Sequence, residues 1–169
     1  RIDALATGLL AMGVNPGDRG GIWSPNRVEW CLTQFATAKI GAIMVCINPA
    51  YRLYELEYAL NKVECKALIA AQSFKSSEYL QMLQTLAPEL AQCAPGALVA
   101  AKVPNLKSVV RMGEGKTPGM FNFDQVCAMG GSSESSRMAA IAATLQPDDA
   151  INIQFTSGTT GNPKGATLS

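Results

Sequence analysis

Histidine is absent from all 169 residues. Ser-His-Asp and Cys-His nucleophilic sites are therefore excluded within this chain, and so are zinc sites built on imidazole. Cysteine offers no substitute. The five cysteines (Cys31, Cys46, Cys65, Cys93 and Cys127) are odd in number and widely spaced, with no Cys-x-x-Cys pair. Most lie in apolar runs, where a free thiol behaves as a small hydrophobe. That pattern favours a reducing compartment over a disulfide framework. Charge is sparse too: 14 Lys plus Arg against 13 Asp plus Glu leaves a net +1. Nothing electrostatic points to a nucleic-acid partner. No apolar run reaches the roughly 18 residues of a membrane span. The richest, 35–47, is too short and is interrupted by Lys39 and Gly41, so no transmembrane segment is expected. Internal repeats and coiled-coil heptads are also missing.

What is present is an alternation of strand and helix signals over a length that suits one domain. It predicts an α/β fold with a doubly wound, mostly parallel sheet. Ile2, Leu5, Ala6, Leu9 and Leu10 share a helical face that runs to about Met12. Gly21-Ile22-Trp23 reads as a strand. Asn26 with Glu29 suggests a capping box, followed by an inward stripe of Val28, Cys31, Leu32, Phe35 and Ala36. Ile43–Ile47 reads as a strand covered on both faces. Leu53, Leu56, Leu60 and Val63 mark a helix, and 67–70 a strand. A helix is expected over 77–90, with Leu80, Leu83, Ala87 and Leu90 inward. A strand is expected at 106–110 and a helical turn at 123–129. The Gly-rich stretch 113–119 reads as loose, and Gly-Gly-Ser-Ser-Glu-Ser-Ser-Arg at 130–137 as a flexible connector.

Chemistry concentrates at one place. Thr156-Ser157-Gly158-Thr159-Thr160-Gly161-Asn162-Pro163-Lys164-Gly165 packs three glycines, four hydroxyls and one lysine into ten residues. The apolar run Ile151-Asn152-Ile153-Gln154-Phe155 leads into it. Glycines remove the side chains that would hold off an anion, and successive backbone N–H groups can converge on it. The hydroxyls add donors, and the lysine adds a mobile positive charge. Pro163 stiffens the turn before Lys164. A plain Gly/Thr-rich surface turn needs neither this density of donors nor the lysine. The order of residues separates this loop from Gly-x4-Gly-Lys-Ser/Thr, whose lysine leads into a helix, and from Gly-x-Gly-x-x-Gly. Here Lys164 precedes Gly165, and 166–168 reads as a new strand.

Other residues carry plainer readings. Trp23 and Trp30 suit core packing. Tyr51, Tyr54 and Tyr58 suit core or rim packing, and Asn48-Pro49 a strand-to-helix turn. Asp148 and Asp149 could hold a metal but more simply make a turn. Arg52 and Lys62 read as surface charges.

The 156–165 loop resembles the signature phosphate loop of the adenylate-forming, AMP-binding superfamily: acyl-CoA synthetases, luciferases and the adenylation domains of peptide synthetases. Pro147-Asp148-Asp149-Ala150 before it, Gly17–Asn26 and Gly41–Tyr51 are similar to other segments of that family, so the resemblance covers essentially the whole chain. Within it, Asn48-Pro49-Ala50-Tyr51, Glu55-Leu56-Glu57-Tyr58 and Ile151–Phe155 most resemble the mitochondrial medium-chain fatty acid–CoA ligases. That resemblance implies a two-step reaction, acyl-adenylate from ATP and a fatty acid, then acyl-CoA, in the mitochondrial matrix. It implies ATP, Mg²⁺ and coenzyme A as cofactor and co-substrates, with small molecules as partners. Thr156, Ser157, Gly158, Thr159, Thr160, Gly161 and Lys164 would contact phosphate, while Asn162 and Pro163 would shape the loop. The family's metal ligand, adenine-binding motif and catalytic lysine lie downstream of the matched region. The chain opens inside a helical pattern without an initiating methionine or targeting segment, and stops four residues after the loop. The expectation is therefore the N-terminal portion of a larger adenylating domain, truncated at both ends and inactive alone. Two rivals stand beside it: an adenylating enzyme for an aryl or amino acid, and an inactive truncated product acting as a binding module.

Overall fold

The computed structural model describes residues 1–156 and 163–169. Its elements are α1 (Ile2–Ala11), β1 (Arg19–Trp23), α2 (Val28–Lys39), β2 (Ile43–Ile47), α3 (Leu53–Lys62), β3 (Ala67–Ala70) and α4 (Tyr79–Leu86). A 3-10 turn (Pro88–Ala91) precedes β4 (Ser108–Arg111), β5 (Met120–Asn122), α5 (Phe123–Cys127) and α6 (Ser132–Ala142). The last two strands are β6 (Asn152–Thr156) and β7 (Lys164–Leu168). The seven strands form one sheet in the order β5-β4-β3-β1-β2-β6-β7. Every neighbouring pair is parallel except β6 with β7.

Successive residues of a strand point to opposite faces, and β1 shows what covers each. A Cβ on Gly20 would point at Thr37 of α2, 3.7 Å away, whereas Trp23 stacks on Tyr79 of α4. Helices α1, α2, α5 and α6 pack together on the first face, and α3 packs on α4 on the other. Uniform crossover handedness requires this arrangement. The connection from β1 to β2 moves toward the β7 edge and carries α2. The connections from β2 to β3 and from β3 to β4 move toward the β5 edge and carry α3 and α4. The expected doubly wound α/β fold is the one observed.

Several local expectations are corrected. On α2, Leu32 and Ala36 are buried, but Val28 and Phe35 are 58% and 57% exposed and Cys31 is exposed. Thr33 and Thr37 complete the inward face instead. Their hydroxyls donate to the carbonyls of Glu29 (2.8 Å) and Thr33 (2.9 Å), so their polar atoms enter the core already satisfied. Asn26 does not cap this helix. Arg27 is the N-cap, and its guanidinium binds the Glu29 carboxylate at 3.1 and 3.0 Å, holding that carboxyl below its usual range. The helix expected over 77–90 breaks at Ala87, whose φ of −127° and ψ of 77° are the extended geometry imposed by Pro88.

The segment 130–137, expected as a flexible connector, is helical from Ser132. The Glu134 carboxylate accepts the Gly131 N–H at 2.8 Å, Arg137 donates to Asn15 Oδ1 at 2.6 Å, and Met138 and Ile141 lie against the core. Gly130 is needed for contact, because a Cβ there would overlap Thr7 of α1. β5 went unforeseen: it is only three residues long and follows a glycine-rich turn.

All five cysteines are free. Cys65 is buried in the core, and burial pushes its thiol up to about 12. The thiolate is the form that attacks a thiol reagent, and at Cys65 it is a fraction of about 10⁻⁴ at pH 8. Native protein treated with a maleimide at pH 8 should therefore label at exposed Cys31 first, and at Cys65 only after denaturation. Peptide mapping of the labelled sites checks this.

Candidate functional site

In an open parallel sheet, ligands settle outside the carboxyl ends of adjacent strands whose continuations leave in opposite directions. β2 and β6 are such a pair. They are parallel neighbours, with Cys46 beside Gln154. β2 continues toward β3, while β6 continues toward β7 on the other side. At this end of the sheet Asn48-Pro49 follows β2, and Phe155-Thr156 ends β6. The segment singled out in the sequence begins here. Of its residues, Ser157, Gly158, Thr159, Thr160, Gly161 and Asn162 lie outside the described residues.

The structure places the flanking members, Thr156, Pro163 and Lys164. Thr156 and Lys164 are direct partners across the antiparallel β6–β7 pair, and the Thr156 hydroxyl donates to the Lys164 carbonyl at 3.4 Å. Both side chains are exposed. Lys164 takes part in no ion pair among the described residues, whose four pairs lie elsewhere. One register step back, Phe155 faces Gly165. A Cβ on Gly165 would meet Ile153 Cγ2 at 3.1 Å and Phe155 Cε1 at 3.8 Å. The glycine therefore leaves room for the Ile153 and Phe155 side chains to lie across β7.

Aromatic side chains hold the other wall. The Trp23 and Tyr79 rings are stacked, with centroids 3.7 Å apart and planes 13° from parallel. Both are fully buried, and their polar tips point the same way. Trp23 Nε1 donates to the Asn48 carbonyl at 3.2 Å, and the Tyr79 hydroxyl donates to the Pro49 carbonyl at 2.5 Å. Burial pushes the Tyr79 phenol up to about 12, so it remains a donor at any physiological pH. Asn48 Oδ1 accepts the Ala50 N–H at 2.9 Å, and the Tyr51 N–H returns to the Asn48 carbonyl at 3.0 Å. This is the strand-to-helix turn expected of Asn48-Pro49. From it, Tyr51 meets Phe155 edge-on with centroids 6.4 Å apart. Tyr58 on α3 reaches the far side of the site, its hydroxyl donating to the Pro163 carbonyl at 3.2 Å.

The remaining sequence candidates resolve plainly. Arg52 and Lys62 are exposed, and Arg52 donates to Ser77 Oγ at 2.8 Å. Asp149 makes the turn expected of it, its carboxylate accepting the Gln146 N–H at 2.8 Å. Among the described residues no group of three or more His, Cys, Asp or Glu side chains could hold a metal ion, and no helix is long and apolar enough to cross a membrane. The sequence reading missed the anchoring roles of Tyr51, Tyr58, Trp23 and Tyr79. Helical spacing gave no signal for the first two, because Tyr51 lies in the turn before α3 and Tyr58 on the helix, while Tyr54 between them is 71% exposed.

Residues 1–169 match the family of AMP-binding enzymes. The mitochondrial medium-chain acyl-CoA ligase ACSF2 of Danio rerio is 46% identical over 168 residues, 99% of this chain and 28% of that protein. Its Homo sapiens counterpart is 45% identical over 169 residues, 99% of this chain and 27% of that protein. The chain thus spans little more than a quarter of the length of these curated relatives. Among solved structures, the anthranilate CoA ligase AuaEII in complex with anthranoyl-AMP superposes with a TM-score of 0.77 at 26% identity, over 98% of this chain and 27% of that one. The N-terminal domain of FACL13 from Mycobacterium tuberculosis shares the fold, with a TM-score of 0.64 at 22% identity over 99% of this chain and 34% of that one. With the match running over its whole length, the chain belongs to the AMP-binding enzyme family.

Proposed function

We propose that this chain is the N-terminal portion of the adenylating domain of a medium-chain fatty acid–CoA ligase acting in the mitochondrial matrix. The observation that carries the reading is the placement of Thr156 and Lys164. They face one another across the antiparallel β6–β7 pair, at the carboxyl end of β6 beside β2. The choice of substrate class rests on the 45–46% identity to ACSF2 ligases.

In this reading a fatty carboxylate oxygen attacks the α-phosphorus of ATP. The bond to the β-phosphate oxygen breaks, and pyrophosphate leaves. The thiol of coenzyme A then attacks the acyl carbon, and AMP leaves with the bonding pair. Residues 156–164 hold the β and γ phosphates. Thr156, Ser157, Gly158, Thr159, Thr160 and Gly161 supply hydroxyl and backbone donors, Lys164 supplies charge, and Asn162 and Pro163 shape the turn. The donor set suits a polyanion: Lys164 is exposed and makes no ion pair among the described residues. What these residues contribute is alignment of the leaving group and stabilisation of its growing charge. Magnesium arrives as part of the nucleotide substrate. The described residues offer it no acidic cluster.

The test is carboxylate-dependent ATP–pyrophosphate exchange by the full-length protein, with short, medium and long fatty acids, aromatic acids and amino acids. Exchange peaking on medium-chain fatty acids is the expected result. A peak on an aromatic acid would move the protein toward the aryl ligases, and no exchange with any acid would leave a binding module.

A further inference from the structure

We propose that Tyr58 is a positioning residue for the nucleotide phosphates, acting through the backbone of Pro163. The proposal rests on the reading of 156–164 as a phosphate-binding segment. Tyr58 lies on α3, a helix fixed to the rest of the fold by buried Leu56, Ala59 and Leu60. Its hydroxyl donates to the Pro163 carbonyl at 3.2 Å, one residue before Lys164. Pro163 has no N–H and a restricted φ, so holding its carbonyl orients the peptide that leads into Lys164. On the entry side, Tyr51 abuts Phe155, one residue before Thr156. The two tyrosines thus touch the chain on both sides of the segment.

Among the described residues, the antiparallel pairing with β6 and the Tyr58 hydrogen bond are what hold β7. All five of its residues are exposed, and its sheet partner is β6 alone. A hairpin end free to rock would move the Lys164 ammonium by ångströms, and misplacement on that scale weakens phosphate alignment. The Tyr58 hydroxyl is the one side-chain hydrogen bond, among the described residues, that ties Pro163 to a helix.

The experiment uses the full-length protein with Tyr58→Phe, which keeps the ring and removes only the hydroxyl. In ATP–pyrophosphate exchange the KM for ATP should rise about fivefold, the size of one lost hydrogen bond. The KM for the acid in the same exchange, and that for coenzyme A in acyl-CoA formation, should stay within about twofold of wild type. Tyr54→Phe, on the same helix but exposed, should leave all three unchanged. An unchanged ATP KM in Tyr58→Phe overturns the proposal, as does an equal rise in all three KM values, which would mark a general loss of structure. Wild-type protein that exchanges with no acid overturns the proposed function itself, and is told apart because it requires no variant.

Discussion

Replacing Lys164 with alanine in the full-length protein should lower the rate of carboxylate-dependent ATP–pyrophosphate exchange about a hundredfold, close to 2.7 kcal/mol of transition-state stabilisation. Lys164 opens β7 directly across from Thr156, and its side chain is exposed. Removing it takes away charge without opening a cavity, and folding stability should change by less than about 0.5 kcal/mol. The loss should appear in kcat as well as in kcat/KM, because the charge on pyrophosphate grows as the bond breaks. Lys164→Arg should recover part of the rate: it restores the charge but places it in a planar fork at a different reach. Steady-state exchange kinetics on the three proteins decide the matter, and an unchanged rate in Lys164→Ala would remove the lysine from the mechanism.

The second large effect concerns stability and runs against helix propensity. Gly8 lies inside α1, where alanine in its place would ordinarily stabilise by about 1 kcal/mol. Here the side of the helix bearing Gly8 presses on α5. A Cβ on Gly8 would overlap the Val126 carbonyl oxygen and come within 3.0 Å of Val126 Cγ1. Backbone cannot turn aside as a flexible side chain can, so α1 and α5 must separate, at a cost of about 3 kcal/mol. Gly8→Ala should thus lose about 2 kcal/mol net and lower Tm by about 6 °C. Urea titration of wild type and variant measures it, and a stabilised variant would contradict the close approach of the two helices.

The parts of this fold that could be read from sequence are those in which one pattern dominates locally. Strands such as Ile43–Ile47 and Ala67–Ala70 appear as continuous apolar runs, because a parallel sheet covered on both faces leaves no polar face to show. The parts that could not be read depend on partners far away in the chain. The inward face of α2 turns on whether Thr33 and Thr37 find acceptors, which a hydrophobicity pattern scores as polar. The glycines at 130 and 131 suggest looseness in isolation, yet at Gly130 the turn into α6 packs against Thr7. The candidate site divides the same way. Its donor-rich segment stands out because the phosphate chemistry proposed for it asks for those residue types within a few positions of one another. Its supports, Tyr58 on Pro163 and Trp23 with Tyr79 on the Asn48-Pro49 turn, join residues whose meeting only the folded sheet brings about.

The strand order also sets a sequence of assembly. β5, β4, β3, β1 and β2 pair only with one another until β6 joins at the β2 edge, and Cys46 meets Asn152, 106 positions away in sequence. Closing so wide a loop carries an entropy cost that grows with its length, and contacts of that kind form late. On a ribosome the five-stranded sheet has its complete sequence before Asn152 is made. The strand that carries Thr156 thus docks onto a scaffold already available to it, and the end of the sheet proposed to bind phosphate is the last part of this chain to be built.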